Sequence, residues 1–122
     1  MRTAALLQKV QHGAEVLPAE SVLWLATMGG AKALGLASEI GSLEAGKRAD
    51  VIIVDLNRLH STPRPADLAS TLVYSTQSSD VLSVIVDGAI LMRDRTLSTL
   101  DEHEVIDEAN REVALLMKRA GV

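Results

Sequence analysis

Gly41, Gly46 and Lys47 come nearest, in type and spacing, to a recognised chemical motif. Two glycines five residues apart, followed by a lysine, are typical of phosphate-binding loops, where backbone N–H groups and the lysine surround the phosphates. Such a loop also needs a serine or threonine hydroxyl for magnesium, and Arg48 stands in that position. The order is reversed too, because a phosphate-binding loop follows a strand and this one precedes it. We therefore interpret these residues as a tight turn and predict no cofactor-binding residue.

The three histidines, His12, His60 and His103, stand too far apart to form a local pair of metal ligands. His103 and Asp107 are four residues apart on a predicted helix and could in principle hold an ion together. Acidic and basic residues alternate around them, however, which favours a solvated helix face. The sequence therefore predicts no metal-binding residue in this chain.

Candidates for a nucleophile or an acid–base pair are equally weak. The chain has no cysteine, and none of its serines lies in a Gly-x-Ser-x-Gly pattern. Asp50 and Asp55 bracket a predicted strand, and five residues of extended chain would separate them by about 16 Å. We therefore predict no catalytic residue.

Composition narrows the class of protein. The 122 residues are 48% hydrophobic and 23% charged, which is ordinary for a globular domain, but only Trp24 and Tyr74 are aromatic. The net charge is −4 and the basic residues are scattered, so neither nucleic acid nor a membrane is an expected partner. No signal-peptide layout or membrane-spanning run is present, and the expected location is the cytoplasm.

Periodicity predicts helices in the first third of the chain. Residues 3–12 have an apolar helical face ending at Gly13, and Pro18 is well placed as the first residue of a second helix. That second helix is apolar on nearly every side, so it is buried or covered by another part of a protein. Gly29-Gly30 is expected to break or bend it, and a further helical turn should end at a left-handed Gly35.

Strand patterns dominate the middle of the chain. Residues 51–54 form a β-branched run, predicted as a strand buried on both faces, and residues 57–66 are predicted as a loop. Residues 81–86 and 89–92 flank Asp87-Gly88, which predicts a hairpin with a two-residue type I′ turn.

Two aspartates are predicted to cap helices. Asp67 stands at the start of a short helix that runs to about Tyr74. Asp101 would cap a terminal helix with an apolar stripe, with Glu104 as its capping-box partner.

Two stretches of this sequence together resemble the closing part of the metal-dependent amidohydrolases. They are Ala26-Thr27-Met28-Gly29-Gly30-Ala31-Lys32-Ala33-Leu34-Gly35-Leu36 and Ile40-Gly41-Ser42-Leu43-Glu44-Ala45-Gly46-Lys47-Arg48-Ala49-Asp50. The stretches Asp67-Leu68 to Leu72-Val73-Tyr74-Ser75 and Asp80-Val81 to Val84-Ile85-Val86-Asp87-Gly88 are similar to the aminohydrolase and chlorohydrolase branch of that family. The resemblance covers essentially the whole chain.

That resemblance implies a (β/α)8 barrel with one zinc or iron ion that activates water for attack on a heteroaromatic carbon. All the family's metal ligands would lie upstream of Met1, so the resemblance gives this chain no catalytic, cofactor-binding or metal-binding residue. A barrel takes roughly 250 residues, so this chain can hold only its last helices. Met1 is accordingly expected to be an internal methionine of a longer protein.

The predicted fold is therefore α+β. Residues 1–36 would be terminal barrel helices, residues 37–100 part of a small β-sandwich domain, and residues 101–122 a C-terminal helix. The predicted function is that of a scaffold segment of a hydrolase, without activity of its own. Its expected partner is the N-terminal part of the parent enzyme or a second copy of itself. The alternative is an independent, non-catalytic domain that binds a protein through an exposed strand edge.

Overall fold

The computed structural model describes residues 1–63 and 66–121 of the chain. Helices and an antiparallel sheet are both present, so the fold is mixed, as predicted. The helices are α1 (Arg2–His12), α2 (Ala19–Trp24), α3 (Gly30–Ala33), α4 (Leu68–Ser70) and α5 (Glu102–Ala120), the strands are β1 (Val51–Val54), β2 (Val81–Val86), β3 (Ala89–Arg93) and β4 (Thr96–Leu97), π-helical segments cover Leu25–Gly29 and Thr71–Ser75, and 3₁₀ turns cover Leu59–Ser61 and Ser78–Asp80. No helix in this described part is long and apolar enough to cross a membrane.

The helices pack around a small core. Ala5 of α1 and Val22 of α2 meet Val73 of the second π-helical segment, and all three are at most 3% exposed. Gly13 ends α1 and its N–H donates to the Lys9 carbonyl, as the glycine stop predicted. Pro18 caps α2 rather than opening it, one residue from the predicted position.

Of the break or bend predicted at Gly29-Gly30, the break does not occur. Both glycines have right-handed helical angles, and the chain passes from α2 through the π-helical segment into α3 without interruption. Gly29 is needed for packing instead, because a Cβ there would lie 2.9 Å from a ring carbon of Trp24. The helix ends at Gly35, with φ of +73°, as predicted.

The four strands form one antiparallel sheet in the order β1-β2-β3-β4. Val51 of β1 pairs with Ile85, and Val84 of β2 pairs with Met92. The prediction that β1, an edge strand, is buried on both faces is wrong, because two adjacent side chains, which face opposite sides of the sheet, are both exposed. Ile52 is 60% exposed and Ile53 is 48% exposed.

The hairpin between β2 and β3 is confirmed. Asp87 has φ of +49° and Gly88 has φ of +79°, and Val86 pairs with Ala89 directly across the turn. Two positive φ angles in a two-residue loop define a type I′ turn, which matches the right-handed twist of the strands. The Asp-Gly pair was therefore a sufficient local signal for this element.

The helix starts at Asp67 and Asp101 are also confirmed, since each carboxylate accepts N–H groups of the following turn. For the predicted capping box at Asp101, the structure shows the bond from Glu104 N–H to the Asp101 carboxylate. The helix α5 that follows is exposed along its full described length. The predicted loop at 57–66 contains the turn Leu59–Ser61, and its residues 64 and 65 lie outside the described residues.

Candidate functional site

The Lys47 side chain lies inside the turn that resembled a phosphate-binding loop. Its Nζ donates to the Ala37 carbonyl at 2.8 Å and to Ser42 Oγ at 2.6 Å, and it lies 3.4 Å from a carboxylate oxygen of Glu44. Only 11% of the side chain is exposed. Ser42 and Glu44 belong to the turn and Ala37 to the segment just before it, so the interpretation as a structural turn is supported and the lysine is not presented to a phosphate.

Glu44 completes this turn on the solvent side. Its carboxylate accepts from Ser42 Oγ, and that bond, followed by the contact with Lys47, lowers the pKa of Glu44. Ser42 Oγ thereby joins the Glu44 carboxylate to the Lys47 ammonium. The arrangement stiffens the loop that leads from α3 to β1.

Arg48 connects the same loop to the hairpin. Its guanidinium lies 2.8 Å from a carboxylate oxygen of Glu39 and 3.8 Å from one of Asp87. The hydrogen bond with Glu39, and then the two nearby negative charges, raise the pKa of Arg48. Asp50 accepts the Asp87 N–H at 2.7 Å. The turn of the hairpin is thereby fixed to the entrance of β1.

A second polar cluster surrounds Asp80, at the start of β2. Asp80 is 2% exposed, and its Oδ2 lies 2.7 Å from His60 Nε2 and accepts the Gln77 N–H at 2.8 Å. Because an ionised carboxylate only accepts hydrogen bonds, we assign the proton of this contact to His60 Nε2. Arg58 Nε lies 3.7 Å from the other oxygen of Asp80. A buried charge is thus paired on both sides.

These contacts lower the pKa of Asp80. The hydrogen bond from the Gln77 N–H is the largest cause, the bond with His60 is the next, and burial opposes them. Asp80 is therefore the ionised centre of the cluster. A buried carboxylate without such partners would instead tend to be protonated.

Two further charges form the rim of the cluster. Asp55, which follows β1, lies 3.1 Å from Arg58 Nε and 3.6 Å from the guanidinium of Arg95. Arg95 also donates to the Ser79 carbonyl at 2.9 Å. An open cleft of about 570 Å³ lies over the group, lined by Asn57, Arg58, Leu59, His60, Ser79, Asp80 and Arg95. The charges neutralise one another, which suits a structural network better than a binding site.

The sequence-derived candidates are not brought together. Asp50 contacts the hairpin turn and Asp55 contacts two arginines, so they engage different partners. His103 and Asp107 lie on the exposed helix α5. Across residues 1–63 and 66–121 there is no group of three or more His, Cys, Asp or Glu side chains placed to hold a metal ion.

Sequence reasoning missed the pairing of His60 with Asp80. The two residues are 20 positions apart, and only the fold brings them together. A local signal existed for Asp80 alone, because Gln77 and Asp80 have the spacing of a capping box and form one. No local signal could have assigned His60 as its partner.

The amidohydrolase family profile matches residues 1–91, so the chain belongs to the amidohydrolase family. It is 50% identical over 119 residues to a 5-methylthioadenosine/S-adenosylhomocysteine deaminase of Desulforudis audaxviator, covering 97% of this chain and 27% of that protein. It is 40% identical over 127 residues to an S-triazine hydrolase of Gordonia rubripertincta, covering 100% of this chain and 26% of that protein.

Solved structures show the same likeness. An adenosine deaminase from Xanthomonas campestris with bound zinc superposes with a TM-score of 0.85 at 38% identity, over 90% of this chain and 25% of that one. The zinc complex of atrazine chlorohydrolase TrzN from Arthrobacter aurescens TC1 superposes with a TM-score of 0.78 at 26% identity, over 90% of this chain and 24% of that one. The chain spans about a quarter of the length of the relatives it matches.

Proposed function

We propose that this chain is the closing scaffold of a metal-dependent amidohydrolase. In this proposal residues 1–36 are the last helices of a (β/α)8 barrel, residues 37–100 part of a small β-sandwich domain, and residues 101–122 a helix that packs against the rest of the enzyme. The family match and the coverage of about a quarter of each relative support this assignment.

The observation that carries the proposal is the apolar surface left uncovered on helices that are otherwise well formed. Val10 is 85% exposed, Trp24 46% and Leu116 64%, on three different helices. Contiguous apolar patches of more than a few hundred Å² rarely stay bare in soluble monomers. These faces fit helices whose packing partners belong to the remainder of a larger protein.

The reaction proposed for the whole enzyme is hydrolytic removal of an amino group from a purine-like substrate. Support comes from two kinds of relative at 49 to 50% identity, which are named as deaminases of adenosine derivatives. The S-triazine hydrolase, at 40% identity, makes displacement at a triazine the second choice. In either case the metal ligands and the reacting groups would come from outside this chain.

A chimaeric enzyme tests the scaffold role. The segment of the Desulforudis audaxviator deaminase that this chain matches would be replaced by this chain, with the intact deaminase and a version lacking the segment as controls. We expect the chimaera to be soluble and to deaminate S-adenosylhomocysteine, and the truncated version to be inactive. A chimaera that is soluble but as inactive as the truncated version would contradict the proposal.

An independent domain that binds a protein through β1 is the second candidate, and the exposed edge strand with Ile52 and Ile53 favours it. The two candidates differ in the behaviour of the chain alone. A scaffold segment should self-associate through Leu23, Trp24 and the strands β1 or β2, whereas an independent domain should be a monomer. Light scattering at micromolar concentration, with fluorescence quenching of Trp24, distinguishes them.

A further inference from the structure

The sheet and the helices of this chain are joined at few places. Among the described residues, the element pairs in extensive contact join helical segments to each other or strands to each other. An apolar cavity of about 630 Å³ lies between them, lined on the helical side by residues such as Leu23 and Leu34 and on the strand side by Val51 and Ile52. Close packing therefore does not fix the sheet on the helices.

Polar contacts cross this division at two places, through Arg48 with Glu39 and Asp87, and at the start of β2 through His60 and Arg58 with Asp80. We propose that the pair His60–Asp80 is a latch that fixes the turn Leu59–Ser61, and through it the helical segment Thr71–Ser75, to the start of the sheet. His60 would be a positioning residue that keeps the two halves in register, a role distinct from any part in the chemistry of the parent enzyme.

The sheet end of the latch is rigid. Asp80 directly precedes β2, and its backbone carbonyl accepts the Asp55 N–H at 2.8 Å, which ties it to the end of β1. Its carboxylate is held by the Gln77 N–H and is almost completely buried. His60 therefore binds to a group that cannot move without disturbing two strands.

At the helical end of the latch, the side chains of the turn and of the helical segment pack together without a hydrogen bond between them among the described residues. Ser61 of the turn and Thr71 of the helical segment are each 3% exposed, and the two elements are in contact. Neither hydroxyl has a hydrogen-bond partner among the described residues. Val73, two residues beyond Thr71, belongs to the helical core. The turn thus packs on the helical layer, and among the described residues its side-chain hydrogen bond to the start of the sheet is that of His60, with the Arg58 guanidinium 3.7 Å from the same carboxylate.

Amide hydrogen exchange on the full chain tests the latch. Replacing His60→Leu should speed exchange at least about tenfold at Ser61 and Thr76, since a hydrogen bond to a charged group is lost and local opening becomes easier. Exchange at the β2–β3 hairpin should stay within about twofold of the parent chain. His60→Gln, which retains a donor, should restore slow exchange, and His103→Leu on α5 is the matched control.

Two results would overturn the proposal. One is unchanged exchange at Ser61 and Thr76 in His60→Leu, and the other is an equal rise throughout the chain, which would mean only a general loss of stability. If His60→Leu does not fold, the unsubstituted chain provides the test by NMR. A His60 Nε2–H signal protected from water and lost in Asp80→Asn supports the latch, and an unprotected signal contradicts it.

Discussion

Gly41 lies against Ala31 so closely that a Cβ at Gly41 would stand 2.7 Å from the Ala31 Cβ. The same added atom would lie 3.0 Å from Met28 Sδ, and the φ of Gly41 is +94°. The loop between α3 and β1 therefore passes over the helix at a point where only glycine fits. This contact explains physically why a glycine begins the turn that leads to Lys47.

Gly41→Ala should destabilise the chain by about 2 to 4 kcal/mol, because an unfavourable positive φ is added to a clash with a packed helix. Gly46→Ala is the matched control. Gly46 has a φ of +91° but open space where its Cβ would be. Gly46→Ala should therefore lose only the stability that the unfavourable φ costs, about 1 kcal/mol or more. Urea denaturation measures both. Equal losses in the two variants would mean that the contact with Ala31 has no effect on stability.

Gly88→Val should cost about 1 to 3 kcal/mol, because the type I′ turn needs the φ of +79° that a β-branched residue resists. Gly88→Asn should cost less, since asparagine tolerates the left-handed region. A Cβ at Gly88 meets nothing within 4 Å, so the loss is purely conformational. An unchanged urea midpoint in Gly88→Val would show that the turn is assigned incorrectly.

Lys47→Met should lower the free energy of unfolding by about 1 to 3 kcal/mol, because the Ala37 carbonyl and Ser42 Oγ lose a charged donor. Lys118→Met, on the exposed helix α5, is the control and should have almost no effect. Thermal unfolding by circular dichroism compares the two variants. An equal loss of thermal stability in the two variants would mean that the buried ammonium of Lys47 does not stabilise the turn.

Stability should depend on Asp80 at acid pH. Its pKa in the folded chain is lowered below 3.8 by Gln77, His60 and Arg58. The folded state therefore binds fewer protons than the unfolded state in this range. The contribution of Asp80 to the free energy of unfolding is complete above about pH 4 and disappears as the pH falls further. In urea unfolding from pH 5 to pH 2, the free energy of unfolding should fall less steeply for Asp80→Asn than for the parent chain. Parallel curves would exclude this role.

Elements with local signals could be predicted from the sequence. Gly13 and Gly35 ended helices as expected, and Asp87-Gly88 defined its hairpin, because positive φ angles and helix stops depend on adjacent residues. The chain does not break at Gly29-Gly30, because the helix continues there as a wider π-helical segment in which Gly29 leaves room for the Trp24 ring.

Burial and long-range pairs could not be predicted in the same way. The β-branched run at Val51–Val54 gives a strand, but only the strand order shows that it lies at an edge with Ile52 exposed. The hydrogen bond between His60 and Asp80 joins residues separated by a loop and a helix, and the fold alone determines that distance. Lys47 was predicted correctly as part of a turn, although its hydrogen-bond partners were not.

Metal content per polypeptide tests the central claim most directly, because it separates the scaffold from the chemistry. Elemental analysis would be applied to the purified chain and to the chimaera with the Desulforudis audaxviator deaminase. We expect no stoichiometric zinc or iron in the chain alone and close to one ion in the chimaera, since only the chimaera would contain the ligands that a catalytic metal requires. Close to one tightly bound ion in the chain alone would contradict the account.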